Sequence, residues 1–399
     1  MATVSDVEIV GGSAAGLFAA YLLARQGKSV RVFDANDVLN VDSRTLITTS
    51  HLTDVLGFFP QEAVVNKIDR FELFSPGRSV AIPMQEPDLV VERSAVVRLL
   101  ARLAVAAGVE IRGGCKLTKL EPGDGCLTLT IRDSHRDRLE QIKTRVLIGA
   151  DGMSSRVGKT IIGNGHATTP ILQAIVELPE GERQGTTKVW FEPDDTPYFY
   201  WLIPQSQRYA AVGFVAEEGK NARHRLDRFL GRNGLTAVDM QSARIPAYGY
   251  FTRPWRRLAG CDVYLIGDAA AQVKVTTVGG LVTGLRGARA AANAILRRTA
   301  YLKEMRSLRR ELSLHLLIRN VLNGFVPADY DRLLELLNPR TIDLLGVHHR
   351  DHAAKIVCRI LLAQPRLLRF AARLPRGLGN KAARQRFVPP PQIVPQESD

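Results

Sequence analysis

Residues 7–34 hold the feature that most constrains the fold. An apolar run, VEIV, leads into a small-residue turn, Gly11-Gly12-Ser13-Ala14-Ala15-Gly16. An Ala/Leu-rich stretch follows as far as Gly27, and a second apolar run closes on Asp34. The runs predict strands, and the stretch at roughly 14–26 predicts a helix capped by Gly27. Strand, tight turn, helix and second strand in this order make the opening unit of a doubly wound parallel sheet. Gly11 permits the tight turn, and Gly16 lets helix and strand pack closely. Ser13 stands at the third glycine position of GxGxxG, where it is the next smallest polar choice. The backbone N–H groups around Ala15 and the helix dipole suit a pyrophosphate, and Asp34 is placed to accept hydrogen bonds from ribose hydroxyls.

Two later turns indicate which dinucleotide is meant. Ala150-Asp151-Gly152 follows the apolar run RVLIG. Gly267-Asp268-Ala269-Ala270 follows CDVYLI and precedes Gly279-Gly280 and an Ala-rich helix predicted at 281–298. A nicotinamide enzyme needs only the first turn. A flavin enzyme of the glutathione-reductase type adds a late strand ending in Gly-Asp, whose Asp bonds a ribityl hydroxyl while the next helix points its N-terminus at the flavin. FAD is therefore the expected cofactor. The backbone donors from Val278 to Leu281 would stabilise negative charge around flavin N1 and O2. Lys274 is a candidate for adding a positive charge there, with a solvated loop lysine as the alternative.

The rest of the chain divides by texture. Arg93-Ser94 open a helix carrying Val96, Leu99, Leu100 and Leu103, with Ser94 as the expected N-cap. The stretch 109–149 alternates like strands around the turn 121–125. From about 170 to 250, aromatic and β-branched runs between turn signals predict an antiparallel sheet. The expected division is an FAD-binding domain from 1–67, 86–165 and 256–298, a substrate domain from 68–85 and 166–255, a basic helical region at 299–386, and a disordered Pro-rich tail at 387–399. Within the aromatic run, Tyr198, Tyr200 and Trp201 are candidates for lining an apolar substrate, and strand alternation should split the run between lining and core.

Composition excludes several classes. The four cysteines are far apart and form no CxxC pair, which argues against a disulfide framework, a zinc ribbon and a four-cysteine cluster. No run reaches the ~20 apolar residues a membrane span needs. The first ten residues lack signal-peptide order, so a cytoplasmic location is expected. The net charge is +14, and residues 297–386 hold 19 Lys and Arg against 7 Asp and Glu. Leucines recur there at helical spacing, among them Leu312, Leu316, Leu334, Ile356 and Leu368. Such basic helices suit an anionic membrane surface, each basic residue adding ~1 kcal/mol. A helical cap with a solvated basic face is the alternative. Nucleic acid is not expected, because no recognised module is present. His348 and His352 share helical spacing but lack a third ligand, so no metal site is expected.

The trio GGSAAG, ADG and GDAA, in this order, resembles the p-hydroxybenzoate-hydroxylase-type FAD oxidoreductases. Within them, GDAAAQVKVTTVGGLVTGL at 267–285 resembles the geranylgeranyl reductase family, which typically reads GDAAGQVKPTTGGGI. Phe199-Tyr200-Trp201-Leu202-Ile203-Pro204 is similar to that family's YxWxFP. The resemblance implies an Arg93 contact to the FAD pyrophosphate and ribose, and a place for Arg44 in a loop bordering the flavin. Leu117 completes the expected cofactor set. Many members carry a Cys after the second strand where this chain has Ser43, leaving Ser43 and Lys274 as candidate catalytic residues. Val275 and Val278 replace the family's Pro and first Gly in the flavin-facing turn.

The resemblance implies an FAD-dependent reductase that saturates C=C bonds of isoprenoid chains on lipids or quinones, with hydride from reduced flavin N5. NAD(P)H or reduced ferredoxin would supply electrons, and peripheral contact with the inner face of the membrane would bring the apolar substrate. The alternatives are a flavin monooxygenase hydroxylating or epoxidising an apolar substrate and an electron-relay flavoprotein without substrate chemistry.

Overall fold

The computed structural model describes residues 5–37, 44–163, 166–249, 253–347, 351 and 353–373. Ser43, the histidine cluster at 348, 349 and 352, and the tail at 387–399 lie outside the described residues.

The chain opens with β1 (Val7–Val10), α1 (Ala14–Ala24) and β2 (Val30–Phe33), as the first turn requires. β3 (Thr45–Thr48), α2 (His51–Leu56) and the long strands β4 (Val64–Ser75) and β5 (Arg78–Glu92) follow, then α3 (Arg93–Ala106) and β6 (Glu110–Arg112). β7 (Cys115–Pro122), β8 (Leu127–Asp133) and β9 (Arg138–Thr144) form a separate antiparallel sheet before β10 (Val146–Gly149) and α4 (Arg156–Ile162). The middle of the chain supplies β11 (Thr168–Glu177), β12 (Thr186–Trp190), β13 (Tyr200–Pro204), β14 (Tyr209–Val215), α5 (Ala222–Arg232) and β15 (Ala237–Pro246). β16 (Trp255–Leu258) and β17 (Cys261–Leu265) return to the first sheet, and helices α6 (Leu281–Arg297), α7 (Tyr301–Glu304), α8 (Arg306–Leu322), α9 (Pro327–Glu335), α10 (Pro339–Val347) and α11 (Ala353–Ala363) end the described chain with a 3-10 segment, Pro365–Arg373.

The dinucleotide sheet has the order β16-β17-β10-β1-β2-β6, parallel apart from the antiparallel edge strand β16. The three turns noted in the sequence therefore sit side by side at the carboxyl ends of β1, β10 and β17, where open α/β sheets bind ligands. Helix α1 is buried on nearly every side, with Leu17, Phe18, Ala19, Ala20 and Leu23 fully enclosed. Each large apolar side chain removed from water contributes ~1.5–3 kcal/mol. The small residues of the turn permit this depth. A Cβ on Gly16 would overlap the Gly11 carbonyl oxygen, and one on Gly11 would overlap that of Ala150.

The second sheet runs β15-β11-β14-β13-β12-β4-β5-β3 and is antiparallel except where β12 meets β4. It reaches further into the first half of the chain than the division expected from sequence texture. β3 pairs with β5, and Val64 at the start of β4 and Leu89 and Val91 near the end of β5 pack into the same core as Val7, Ile9 and Leu17. Two strands of this length bridge the halves in one piece, so the change of texture near residue 68 falls inside a strand. Helix α3 also differs in detail. Its N-cap is Glu92, whose carboxylate accepts from the N–H groups of Ser94 and Ala95, while Ser94 sits inside the first turn and donates its hydroxyl to Glu92.

The basic C-terminal region is helical, but its apolar positions largely face protein. Leu312, Leu334 and Ile356 are buried, α10 packs on β5, and Gly346 approaches the Pro83 carbonyl so closely that a Cβ would overlap it. No helix among the described residues is long and apolar enough to cross a membrane.

Candidate active site

One cavity of about 1190 Å³ extends from the three turns into the eight-stranded sheet. It exceeds the ~300–1,000 Å³ of a common small-molecule pocket. At one end lie Gly11, Gly12, Ser13 and Ala15, with Asp34 closing the far side. Gly11 holds φ +109°, a conformation that favours glycine. Ser13 caps α1, its hydroxyl accepting the Gly16 N–H at 3.2 Å, and the N–H groups of Ala14 and Ala15 lie in the first turn of that helix. Asp34 accepts the Gly12 N–H at 2.6 Å and the Asn36 N–H at 2.8 Å, so the carboxylate that faces the cavity also braces the turn. Gly16 does not line the cavity; it acts one layer behind, through the close approach to Gly11.

Arg44, Arg93, Leu117, Asp151 and Gly152 line the same end. Arg44 and Arg93 are joined through the backbone, the Arg93 N–H donating to the Arg44 carbonyl at 2.9 Å. Asp151 bonds the Ser155 hydroxyl and accepts from the N–H groups of Arg156 and Val157, so its carboxylate organises the start of α4. Burial raises its pKa against those hydrogen bonds.

The third turn forms the cavity's inner wall. Gly267, at φ +60°, donates its N–H to the Gln272 side chain at 2.7 Å, and a Cβ on Gly287 would overlap that same amide. The Asp268 side chain lines the cavity and accepts no hydrogen bond from the described residues. Burial raises its pKa, and the charges of Arg93 and Arg44 oppose the rise. An acceptor left open in this position fits the ribityl hydroxyl expected there. Gly279, Gly280 and Leu281 lead into the N-terminus of α6, with Gly280 as N-cap. Together the glycine cradle, the open carboxylate and this helix end fit FAD.

The turn 274–279 closes as a small hairpin, with the Lys274 N–H donating to the Gly279 carbonyl at 3.1 Å. Val278 within it holds φ +51°, which is strained for a β-branched residue. Lys274 is buried rather than solvated. Its Nζ pairs with Asp351 at 2.5 Å, and Asp351 also accepts from the Thr49 hydroxyl.

At the other end the wall is aromatic. Tyr198, Phe199 and Trp201 line the cavity, as do Phe191 and Ile203. Trp201 donates Nε1–H to Gln173 at 3.3 Å. Tyr200 does not line it. The side chains of β13 alternate, so Tyr200 points to the opposite face, fully buried, stacked on Phe214 and Phe229 and hydrogen-bonded to Asp195.

Sequence reasoning missed a row on α8. Glu311, His315 and Arg319 recur at i, i+4 and i+8, and all three are buried. Glu311 pairs with Arg286 at 3.0 Å, His315 Nδ1 lies 2.6 Å from the Thr276 hydroxyl in the turn 274–279, and Arg319 donates to the Pro197 carbonyl at 2.6 Å. The spacing is visible in the sequence, but the surrounding arginines make it read as solvated charge.

Three dinucleotide turns at strand ends, joined to an apolar cavity, define an FAD-dependent oxidoreductase. The chain belongs to the family described as FAD binding domain, which it matches over residues 4–300. It is 26% identical to digeranylgeranylglycerophospholipid reductase 2 of Methanopyrus kandleri, over 92% of this chain and 99% of that one. It is 28% identical to geranylgeranyl diphosphate reductase of Rhodobacter capsulatus, over 75% and 76%. Among solved structures, the fold is similar to a geranylgeranyl bacteriochlorophyll reductase-like protein of Thermoplasma acidophilum, with a TM-score of 0.76, 17% identity and coverage of 93% and 99%. It is also similar to p-nitrophenol 4-monooxygenase of Pseudomonas putida, with a TM-score of 0.67, 16% identity and coverage of 93% and 99%.

Proposed function

We propose that this chain reduces C=C bonds in geranylgeranyl-type isoprenoid chains carried by lipids or quinones. The observation that carries the reading is the continuity of one cavity from the FAD turns into an aromatic pocket, in a chain whose curated relatives over most of its length are named for such reductions. Bound FAD, once reduced, supplies hydride. The protein's own residues do the rest. The aromatic wall of Phe199 and Trp201 holds an apolar chain and excludes water. The helix end at Val278 to Leu281 favours negative charge on the cofactor, while Lys274, paired with Asp351, holds the turn beside it. Ser43 remains a second candidate beside Lys274. NAD(P)H or reduced ferredoxin provides the electrons.

Substrate delivery is by peripheral contact with the inner face of the membrane. Leu362 and Leu368 are exposed beside Arg359, Arg366 and Arg369, a basic and apolar edge suited to an anionic bilayer surface.

The test is an anaerobic single turnover. FAD-loaded, chemically reduced protein is mixed with polyprenyl lipids, and the lipids are read by mass spectrometry. Gain of hydrogen pairs with flavin reoxidation is expected. Unchanged lipids, with gain of an oxygen atom only when air is admitted, would overturn this reading in favour of a monooxygenase.

A further inference from the structure

Arg319 is 3% exposed and sits in the wall of the cavity, one helical turn beyond His315. Its guanidinium donates to the Pro197 carbonyl, sits near the Tyr330 phenol and lies 4.5 Å from the centre of the Tyr198 ring. These partners are a carbonyl, a phenol and an aromatic face, and none carries a full negative charge. Among the described residues no carboxylate pairs with it, and its Nε is buried with no acceptor. Neighbouring cations differ: buried Lys274 has Asp351, and partly buried Arg286 has Glu311. A buried charge without a counter-charge is costly, and burial lowers the pKa of this guanidinium. The cation is held in a cavity that opens to ligand, by groups that orient it without neutralising it.

We propose that Arg319 is the recognition site for an oxyanion on the head of the substrate, so that the enzyme selects a phosphate ester of a prenyl chain over the uncharged prenyl compound. The inference rests on the reductase reading above and narrows it, because a prenyl quinone or a free prenyl alcohol offers no such charge. Arginine suits this role because its planar donors match oxyanion geometry and its charge persists at all working pH values. Tyr198 and Tyr330 hold the guanidinium plane, and Phe191 stacks on Tyr330 with ring centres 4.6 Å apart, extending the apolar wall from this point. The charged head would dock at Arg319 while the chain follows the aromatic lining.

The test is binding to oxidised holoprotein, followed by the change in flavin absorbance and fluorescence, so that turnover is not needed. The ligands are geranylgeranyl monophosphate, a glycerol phosphate bearing two prenyl ethers, and geranylgeraniol. The wild type is expected to bind at least one of the phosphates about 30-fold or more tighter than the alcohol, and the tighter one identifies the source of the head group. Arg319→Gln should abolish that preference while leaving the alcohol's affinity within about twofold, and Arg319→Lys should retain part of it. Equal wild-type affinities for phosphates and alcohol would overturn the proposal, and this arm needs no variant to fold. Loss of all ligands alike in a folded, FAD-loaded Arg319→Gln would also overturn it, assigning the residue to packing. The two readings fail separately. A phosphate preference lost in Arg319→Gln, with chains left unsaturated by the reduced protein, removes the reductase and keeps the site. Hydrogenated chains without a phosphate preference do the reverse.

Discussion

Lys274 and Asp351 form a buried ion pair at 2.5 Å that ties the turn 274–279 to a segment 77 residues further along the chain. Removing one member leaves the other as an uncompensated charge. Lys274→Ala is expected to destabilise the protein by about 3–5 kcal/mol. Lys274→Ala with Asp351→Ala should cost clearly less than the two single changes added together. Urea unfolding of the four proteins measures the coupling, and strict additivity would show that the pair does not act as a unit.

Val278 holds a left-handed backbone in the same turn. Val278→Gly removes the steric conflict and is expected to raise stability by about 1 kcal/mol, after allowing for the greater freedom of glycine in the unfolded chain. Thermal denaturation of the FAD-loaded variant tests this. A lower midpoint would mean that the valine side chain contributes more by packing than its backbone costs.

Glu311 gives a pH dependence whose sign follows from its surroundings. Burial raises its pKa, opposed by Arg286. The folded protein therefore holds this proton to higher pH than the unfolded chain. Stability from this group is greatest below the ordinary carboxylate range and is lost as pH rises to the raised value. Glu311→Gln stays neutral throughout, so the stability of wild type minus that of the variant should fall as pH rises through and above the ordinary carboxylate range. Denaturant midpoints across that range give the slope, and a difference independent of pH would contradict the assignment.

Neighbouring aromatics should behave differently. Tyr200→Phe loses only a buried hydrogen bond to Asp195, which keeps its ion pair with Arg228, so about 1–2 kcal/mol of stability should disappear with substrate affinity unchanged. Trp201→Ala opens the cavity wall and should weaken binding of the prenyl chain by tenfold or more. Titration of both holoproteins with one prenyl ligand separates the two roles.

That contrast also marks how far the sequence could be read. The three turns were legible because their chemistry is local: Gly11 must adopt a positive φ, and Asp268 must sit in the turn just after a strand. The direction of Tyr200 depends on the residue at which β13 begins, and a one-residue change there exchanges lining for core. Leu312 and Leu334 announced amphipathic helices, but which surface would cover them depends on packing against β5 and α6. Arg319 was hidden for a related reason. In a segment of net positive charge, one buried arginine looks like its solvated neighbours until the fold places it against Tyr198 and Tyr330.

The row Glu311, His315 and Arg319 limits how this gene can vary in length. Each residue added to or removed from an α-helix turns everything beyond it by about 100°. A single insertion between positions 311 and 319 would carry Arg319 off the cavity wall while leaving Glu311 on Arg286. Insertions and deletions should therefore be tolerated at the joints around α8, such as residues 323–326, and be absent from its central two turns in any working descendant of this chain.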